Sequence, residues 1–299
     1  HKTVGDPITT AFWNPYRESY VFTGRPTHND RRIAVFETKD WEHFSSPELA
    51  LQADALDTPC AEIYGMPVFQ YHQLFIGLLW IYHVSPVVNA EFKYLHGKVD
   101  CQLAYSYNGW HFQRALREPF IPNAKPGDYG AGCIYPSSMI TNGTEPIRIY
   151  SSASKGEHAS IKRGAQGNQS AILLHQLRYD GFVFLEPQGG VGELTTRPLH
   201  WQAGELSVNV CVPHGEARVQ VTDLYGQAIE GYEFDRCIPF AGDNLAWQPH
   251  WQAGRTLTQM SDRVVRLEVR LTNGRLYSMS GEFEVKMRYE AVQLERRGR

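Results

Sequence analysis

Three carboxylates stand at the beginnings of strand-like segments, where they could face one shared pocket. Asp6, Glu62 and Asp128 each begin or shortly precede such a segment. Hydrolysis of a glycosidic bond needs two carboxyl groups, one that protonates the leaving oxygen and one that attacks the sugar or activates water. These positions therefore predict a site for acid–base chemistry on a glycan. The alternative for each residue is a carboxylate in an ordinary turn, and Gly-Asp-Pro at Asp6 is a common turn sequence.

Other side chains near these carboxylates could hold a sugar. An arginine offers a planar fork of donors to hydroxyl or carboxylate groups, and aromatic rings can stack on sugar rings. Glu62 is the preferred acid because aromatic residues follow it, and apolar surroundings favour the protonated form of a carboxyl group. A structural histidine or a core aromatic is the alternative for most of these residues. The candidate substrate-binding residues are Arg25, Tyr64, Trp80, His83 and His158.

Composition argues against several other functions. The net charge is −3 with scattered Lys and Arg, so no basic stripe indicates nucleic-acid binding. The five cysteines contain no CxxC pair and the histidines lack ligand spacing, so neither a metal nor a cofactor is predicted. The longest apolar run, from Leu74 to Val84, is too short to span a membrane.

An internal repeat of about seventy residues organises the first part of the chain. Three segments read as strand, tight turn and aromatic residues, around Trp41, Trp110 and Phe182, at spacings of 69 and 72 residues. Each repeat holds four strand-like segments without helical periodicity, which is typical of a propeller blade. A coincidence of turns in an ordinary sandwich is the alternative. The first three predicted strands of each unit are 8–14, 19–23 and 32–37; 62–70, 73–82 and 99–105; and 131–140, 147–152 and 171–177.

The sequence pattern changes after Pro187, where a glycine-rich turn begins. Short alternating segments with regular turns follow, which predicts a separate β-sandwich. The sequence therefore predicts a β-propeller of about three blades over residues 1–187, a β-sandwich over 188–290 and a solvated tail over 291–299.

Several segments resemble the five-bladed β-propeller glycoside hydrolases of families 32, 43 and 68, and above all family 32-like bacterial proteins. The resemblance covers nearly the whole chain and implies an all-β fold, a partial five-bladed propeller followed by a β-sandwich. It also implies that Glu62 is the general acid and that Asp6 holds sugar hydroxyls. The segments are Tyr64-Gly65-Met66-Pro67-Val68-Phe69, Gln102-Leu103-Ala104-Tyr105-Ser106, Arg178-Tyr179-Asp180-Gly181-Phe182, Leu206-Ser207-Val208-Asn209 and Leu276-Tyr277-Ser278.

One departure from these families affects the expected partners. The families carry five blades and the sequence predicts three, so an N-terminal segment or a second chain is expected to complete the propeller. This leaves open whether the first catalytic Asp of the families lies within the chain. The resemblance also favours a secreted or periplasmic location over others, and the residues themselves indicate none.

The first functional hypothesis is a glycoside hydrolase acting on a furanoside or related glycan. It predicts that Asp6, Glu62 and Asp128 share one funnel, with the first two carboxyl groups roughly 5–10 Å apart. The alternative is a carbohydrate-binding protein without catalysis, with carboxylates that point apart beside an aromatic platform. A scaffold for protein contacts is the third reading, and it predicts a flat apolar face.

Overall fold

The computed structural model describes residues 5–27, 31–88, 95–158 and 169–297. These ranges are nearly all β-strand with one α-helix, which confirms the predicted all-β class. The chain divides into two compact units, residues 1–177 and 178–299. The segment between this division and Pro187 pairs within the second unit, since the backbone of Leu185 bonds to that of Leu276.

The first unit begins with a four-stranded antiparallel sheet in sequence order. Its core residues are apolar and fully or almost fully buried, among them Val21, Ile33 and Val35. The arrangement is that of the first predicted blade. The strands are β1 (Gly5–Asn14), β2 (Ser19–Arg25), β3 (Ile33–Thr38) and β4 (Glu48–Leu51).

The second and third predicted blades form one eight-stranded sheet. Its order is β12-β11-β10-β8-β7-β5, with β6 on β7 and β9 on β8. A single parallel bridge, Cys133 to Val99, joins the two parts. The strands are β5 (Ala61–Gly65), β6 (Val68–Tyr71), β7 (Leu74–Val88), β8 (Leu95–Ser106), β9 (Gln113–Arg114), β10 (Cys133–Ile140), β11 (Ile147–Ser154) and β12 (Ser170–Leu177).

The third blade differs from the prediction because it has no fourth strand of its own among the described residues. The predicted turn at Asp180 lies in the second unit, where the Ser278 hydroxyl donates to Asp180 at 2.6 Å. The repeat ends after β12 because the chain beyond Leu177 finds its hydrogen-bond partners in that unit.

The first two repeated turns share one hydrogen-bond pattern. In each, a hydroxyl accepts from the backbone N–H three residues later, at 2.9 Å, and a side-chain oxygen accepts from two further N–H groups. The equivalent pairs are Thr38 and Ser106, Asp40 and Asn108, and Trp41 and Gly109. Trp41 has a φ of 64° where Gly109 has 66°. The structural spacing is therefore 68 residues, one fewer than the alignment of Trp41 with Trp110 predicted.

The second unit holds a five-stranded sheet around a core that contains Trp201, Tyr232 and Trp251. The long strand β14 pairs with β17 up to Cys211 and with β16 from Glu216 to Thr222, where Glu216 lies opposite Thr272 and Thr222 lies opposite Arg266. The two-layered packing of a sandwich stays a prediction. The strands are β13 (Val191–Thr195), β14 (Leu199–Thr222), β15 (Phe240–Trp247), β16 (Arg263–Thr272) and β17 (Arg275–Val285).

The segment predicted as a solvated tail begins within a helix, and its solvation beyond Ala291 stays a prediction. A helix, α1, occupies Arg288–Arg297, and Ala291 within it is fully buried. Its backbone begins with a bond from Ala291 N–H to the Met287 carbonyl. A short amphipathic helix gives a weak periodic signal in sequence, and the cluster of arginines at its end hid it.

Candidate functional site

Glu62 lines a cavity of about 500 Å³ in the first unit. Its Oε2 lies 2.5 Å from Nη1 of Arg31, and the two side chains are 35% and 25% exposed. Arg31 is fixed beside β5 because its carbonyl accepts from the backbone N–H of Ile63 at 3.0 Å. The cavity is lined by Thr27, Arg31, Arg32, Gln52, Ala53, Ala61 and Glu62.

A group of five rings, called the aromatic cluster below, is centred on Tyr64. The Tyr64 ring lies 5.8 Å from both Tyr82 and Tyr135 and 4.9 Å from His158, between ring centroids. Trp80 completes the cluster at 5.2 Å from Tyr135. These are ordinary contact distances for tilted and edge-to-face aromatic pairs.

Polar atoms of the cluster fix its rings. Trp80 Nε1 donates to the Pro136 carbonyl at 2.9 Å, and the Tyr135 hydroxyl lies 3.2 Å from His158 Nδ1. Burial raises the pKa of Tyr82 to about 12 and also raises that of Tyr135. Both phenols therefore stay protonated near neutral pH and can donate a hydrogen bond.

Two arginines lie over rings of the aromatic cluster, and one of them, Arg31, also lines the cavity. The guanidinium of Arg31 lies 5.0 Å above the Tyr82 ring, and that of Arg25 lies 4.7 Å above the Tyr64 ring. A guanidinium over an aromatic face is attracted by the negative ring quadrupole. Arg31 thus links the predicted residue Glu62 to the aromatic cluster, which the predicted residue Arg25 contacts through Tyr64.

Strand β1, which contains Asp6, lies beside the strands that contain and follow Glu62. The Thr9 hydroxyl oxygen accepts from Met66 N–H at 3.2 Å, and the Thr10 hydroxyl oxygen accepts from Val68 N–H at 3.1 Å. The chain of β1 therefore runs in the same direction as that of β5 and β6. The pairing of β1 is irregular between Gly5 and Thr10, so a shared level of Asp6 and Glu62 stays a prediction. The side chain of Asp6 lies outside the described residues.

Asp128 has no described side-chain contact with the aromatic cluster or the cavity. It is exposed in a turn, where its backbone N–H donates to the Lys125 carbonyl at 3.0 Å. Cys133 begins β10, two residues before Tyr135, whose ring contacts that of Tyr64. That thiol is almost fully buried, and burial raises its pKa. A role for Asp128 in catalysis stays a prediction.

His83 faces away from the aromatic cluster. It follows Tyr82 on β7, and successive residues of a strand point to opposite faces. Its Nε2 lies 2.8 Å from Asp100 Oδ2, and its Nδ1 lies 3.4 Å from the Thr58 hydroxyl. The hydrogen bond with Asp100 raises the pKa of His83. The expected grouping of His83 with the other sugar-binding residues is therefore not found.

A second carboxylate–arginine network lies on that opposite side. Asp57 forms two 2.7 Å contacts with Arg114, and their side chains are 6% and 4% exposed. Arg117 adds a contact at 3.2 Å, and Asp54 N–H donates to Asp57 at 2.9 Å. Burial opposes ionisation of Asp57, but the hydrogen bonds from Arg114 and Asp54 prevail and lower its pKa to about 2.

Sequence reasoning missed Arg31, Tyr82 and Tyr135. Tyr82 could have been found, because it alternates with Trp80 on one strand and therefore shares its face. Arg31 and Tyr135 join the site through contacts between blades, for which the sequence carries no local signal. Within the described ranges, no three His, Cys, Asp or Glu side chains are grouped so that they could hold a metal ion. No helix there has the length and apolar character needed to cross a membrane.

No family model and no curated protein matches the chain. Among solved structures, it is similar to an N-acetylgalactosamine deacetylase from F. plautii in complex with blood group B trisaccharide. That match has a TM-score of 0.42 and 11% identity and covers 61% of this chain and 52% of the other. This chain therefore spans about half the length of the deacetylase.

Two further similarities are to an endo-arabinase from Bacteroides thetaiotaomicron and a family 32 β-fructofuranosidase from Bombyx mori. The arabinase match has a TM-score of 0.39 and 12% identity and covers 67% of this chain and 69% of the other. The fructofuranosidase match has a TM-score of 0.30 and 8% identity and covers 93% and 92%. These similarities concern the course of the chain alone.

Proposed function

We propose that this protein acts on glycans as a glycoside hydrolase, with a furanoside or related glycan as substrate and Glu62 and Asp6 as the carboxyl pair. The observation that carries this proposal is the packing of β1 beside β5 and β6 with the same chain direction, since Asp6 and Glu62 each stand second in one of these adjacent strands. A two-carboxylate reaction needs its two carboxyl groups on neighbouring elements of one site.

The surroundings of Glu62 suit a sugar. A cavity of about 500 Å³ lies within the usual range for small-molecule sites. Arg31 at its wall can donate to sugar hydroxyls, while Glu62 accepts from them. The aromatic cluster behind the wall keeps Arg31 and Arg25 in place through their contacts with Tyr82 and Tyr64. Arginine side chains that are held in place in this way can orient a bound ligand.

In the proposed reaction, one carboxyl group protonates the leaving glycosidic oxygen and the other attacks the anomeric carbon or activates water. The resemblance assigns the proton-donating role to Glu62. This role requires that Arg31 release Glu62 Oε2 or share it with the substrate, because the guanidinium occupies that oxygen at 2.5 Å. Asp6 then takes the role on the opposite face of the sugar.

Glycan binding without catalysis is the second candidate, and the same ion pair favours it. Among the described residues that line the cavity, Glu62 is the carboxylate. Its side chain already accepts a hydrogen bond from Arg31. A site in which the carboxylate orients an arginine binds a sugar but supplies no acid.

Sugar release from methyl and oligosaccharide fructofuranosides, arabinofuranosides, xylosides and galactosides tests the proposal, because their leaving groups need protonation. We expect release by the wild type, and a loss of at least about 100-fold in Glu62→Gln and in Asp6→Asn. Glu145→Gln is the matched control, because Glu145 is an exposed carboxylate that pairs with Arg148. Its activity should equal that of the wild type.

Two results would change the assignment. Release that persists in both Glu62→Gln and Asp6→Asn would place the reacting groups elsewhere. Absence of release, together with sugar binding that Tyr64→Ala abolishes in a folded protein, would establish the binding function instead.

A further inference from the structure

Three aromatic side chains of the first sheet form a partly exposed row. Trp13 and Tyr20 are cross-strand partners on β1 and β2, and their ring centroids lie 5.1 Å apart. The ring of Trp41, in the turn after β3, lies 4.8 Å from that of Tyr20 and 5.6 Å from that of Phe22. Trp13, Tyr20 and Trp41 are called the aromatic row below.

The aromatic row lies on the face of the sheet that is opposite to the core. Tyr20 and Val21 are consecutive on β2 and point to opposite faces, and Val21 is fully buried among core residues. Trp13 and Trp41 are 48% and 54% exposed. Neighbouring large apolar side chains that stay exposed commonly mark a binding surface.

Trp41 holds its ring in this place at a cost in backbone conformation. Its φ of 64° lies in the left-handed region, and the equivalent turn of the next repeat has glycine, Gly109, at 66°. The turn is held by hydrogen bonds, since Trp41 N–H donates to Thr38 at 2.9 Å and Asp40 accepts from the two following N–H groups. Glycine closes the same turn without strain, so the indole supplies something that the turn itself does not need.

Strand β2 separates the aromatic row from the aromatic cluster. The guanidinium of Arg25, at the end of β2, lies over the Tyr64 ring of the cluster. Tyr20 precedes Arg25 by five residues, which is about 16 Å along an extended strand, and an odd separation places the two side chains on opposite faces. A ligand on the aromatic row therefore occupies a different site from a ligand near Tyr64.

We propose that the aromatic row is a second glycan-binding site, at which sugar rings stack on the indoles of Trp13 and Trp41. The C–H groups on the face of a sugar ring are attracted to the negative face of an aromatic ring. The inference rests on the proposed glycan function for its choice of ligand, and it adds a site outside the Glu62 cavity.

The residues around Trp41 favour a sugar over a protein as the ligand. Lys39, Asp40 and Glu42 flank Trp41 in the chain, and all three are exposed. Charged residues are depleted from the centres of protein–protein interfaces. They suit a sugar, whose ring edge carries hydroxyl groups that both donate and accept hydrogen bonds.

Affinity gel electrophoresis of the full chain in soluble arabinan, inulin, xylan and galactan tests this inference. We expect at least one of these polymers to retard the wild type. Trp41→Gly and Trp13→Ala should each weaken that retardation by at least about fivefold, the loss expected for one stacked ring. Sugar release from a methyl glycoside, which is too small to span both sites, should stay at the wild-type rate in both variants.

Trp41→Gly also separates binding from folding. Because glycine accepts the φ that Trp41 adopts, this variant should unfold within about 4 °C of the wild type, although it loses the indole. Trp41→Phe keeps a ring and should retain part of the retardation. Tyr225→Ala is the matched control and should be retarded as the wild type is, because Tyr225 is a 64% exposed aromatic residue in a hydrogen-bonded turn of the second unit.

Retardation that is unchanged in either Trp41→Gly or Trp13→Ala, or absent for the folded wild type in every polymer, would overturn the inference. An equal loss in Tyr225→Ala would overturn it too, since sugars would then meet any exposed ring. A wild-type dimer that Trp41→Gly dissociates, without polymer binding, would assign the face to a second copy of the chain instead.

The same measurements separate this inference from the glycosidase proposal. Glu62-dependent sugar release without retardation would overturn the inference and leave the glycosidase proposal standing. Retardation that depends on Trp13 and Trp41, without release of any sugar, would support the inference and remove the glycosidase.

Discussion

Two carboxylate–arginine pairs of the first unit differ in what surrounds them. Asp57 and Arg114 have side chains that are 6% and 4% exposed, and further donors from Arg117 and Asp54 saturate the carboxylate. Glu62 and its arginine are 35% and 25% exposed and line a cavity. The first pair has its hydrogen bonds satisfied within the protein, while the second presents charged groups to whatever enters the cavity.

The energetic consequences of the two pairs follow from burial. Removing one partner of a buried pair leaves an uncompensated charge in a medium of low polarity, which is strongly destabilising. Removing one partner of an exposed pair costs little, because water replaces it. Asp57 is thus expected to be required for folding and Glu62 for ligand binding, although the two lie five residues apart in sequence.

The largest expected effect is on stability in Asp57→Asn. We expect a loss of about 3–5 kcal/mol in the free energy of unfolding, because Arg114 stays buried without its counter-charge. Glu62→Gln should cost less than about 1 kcal/mol. Urea denaturation of both variants, followed by circular dichroism, measures the difference. Equal losses in the two variants would contradict the distinction between the pairs.

Acid should weaken the same pair in the wild type. The pKa of Asp57 lies at about 2 in the folded protein, against an ordinary value of 3.8. A lowered pKa stabilises the folded state above pH 3.8, and this contribution is lost as the pH falls towards 2. The difference in unfolding free energy between wild type and Asp57→Asn should therefore shrink by about 2 kcal/mol over this range. A difference independent of pH would show that charge on Asp57 does not stabilise the fold.

Local signals were sufficient to predict several strands and to place three candidate site residues on two paired strands. Alternation and turn chemistry are properties of neighbouring residues, so the predicted strands 19–23 and 147–152 lie within β2 and β11. Glu62, Tyr64 and Trp80 were found together because two paired strands carry them.

Contacts between blades were beyond the reach of sequence reasoning. Arg31 lies at the cavity because its backbone bonds to Ile63 across two sheets, and no spacing along the chain encodes that bond. The separation of His83 from the aromatic cluster has a simpler origin. Glu62 pairs with Tyr82 across β5 and β7, so the next residue, His83, must face the other side.

The packing of β1 against β5, which the proposed pair of Asp6 and Glu62 requires, can be tested at Gly65. A Cβ there would lie 2.6 Å from Thr9 Cγ2 and 2.7 Å from the Trp80 ring. Gly65→Ala should therefore destabilise the protein by about 1–3 kcal/mol and separate β1 from β5. If Asp6 and Glu62 act together, sugar release should also fall, as measured on the substrate to which the wild type responds.

A double substitution serves as the control for that prediction. Thr9→Ser removes Cγ2 and keeps the hydroxyl oxygen that accepts from Met66 at 3.2 Å. Combined with Gly65→Ala, it should recover part of both the stability and the activity, because one of the two clashes is gone. Activity that stays at the wild-type level in Gly65→Ala alone, despite a loss of stability, would separate the register from the reaction.

The smallest expected effect concerns His83. It forms a charged hydrogen-bonded pair with Asp100, as Asp57 does with Arg114, but its side chain is as exposed as that of Glu62. Its side chain is 35% exposed, and the hydrogen bond that it donates to Asp100 raises its pKa above 6.5. A raised pKa stabilises the folded state below pH 6.5, and this contribution is lost as the pH rises through the folded value. His83→Gln keeps a donor for Asp100 but no charge, so it should be less stable than wild type by up to about 1 kcal/mol at pH 5 and nearly equal at pH 9.

Urea midpoints at the two pH values measure this, with His43→Gln, at an 86% exposed histidine, as the reference. If His83→Gln instead had unchanged stability at both pH values and weaker sugar binding, the result would support the sugar-binding role that the sequence predicted for His83.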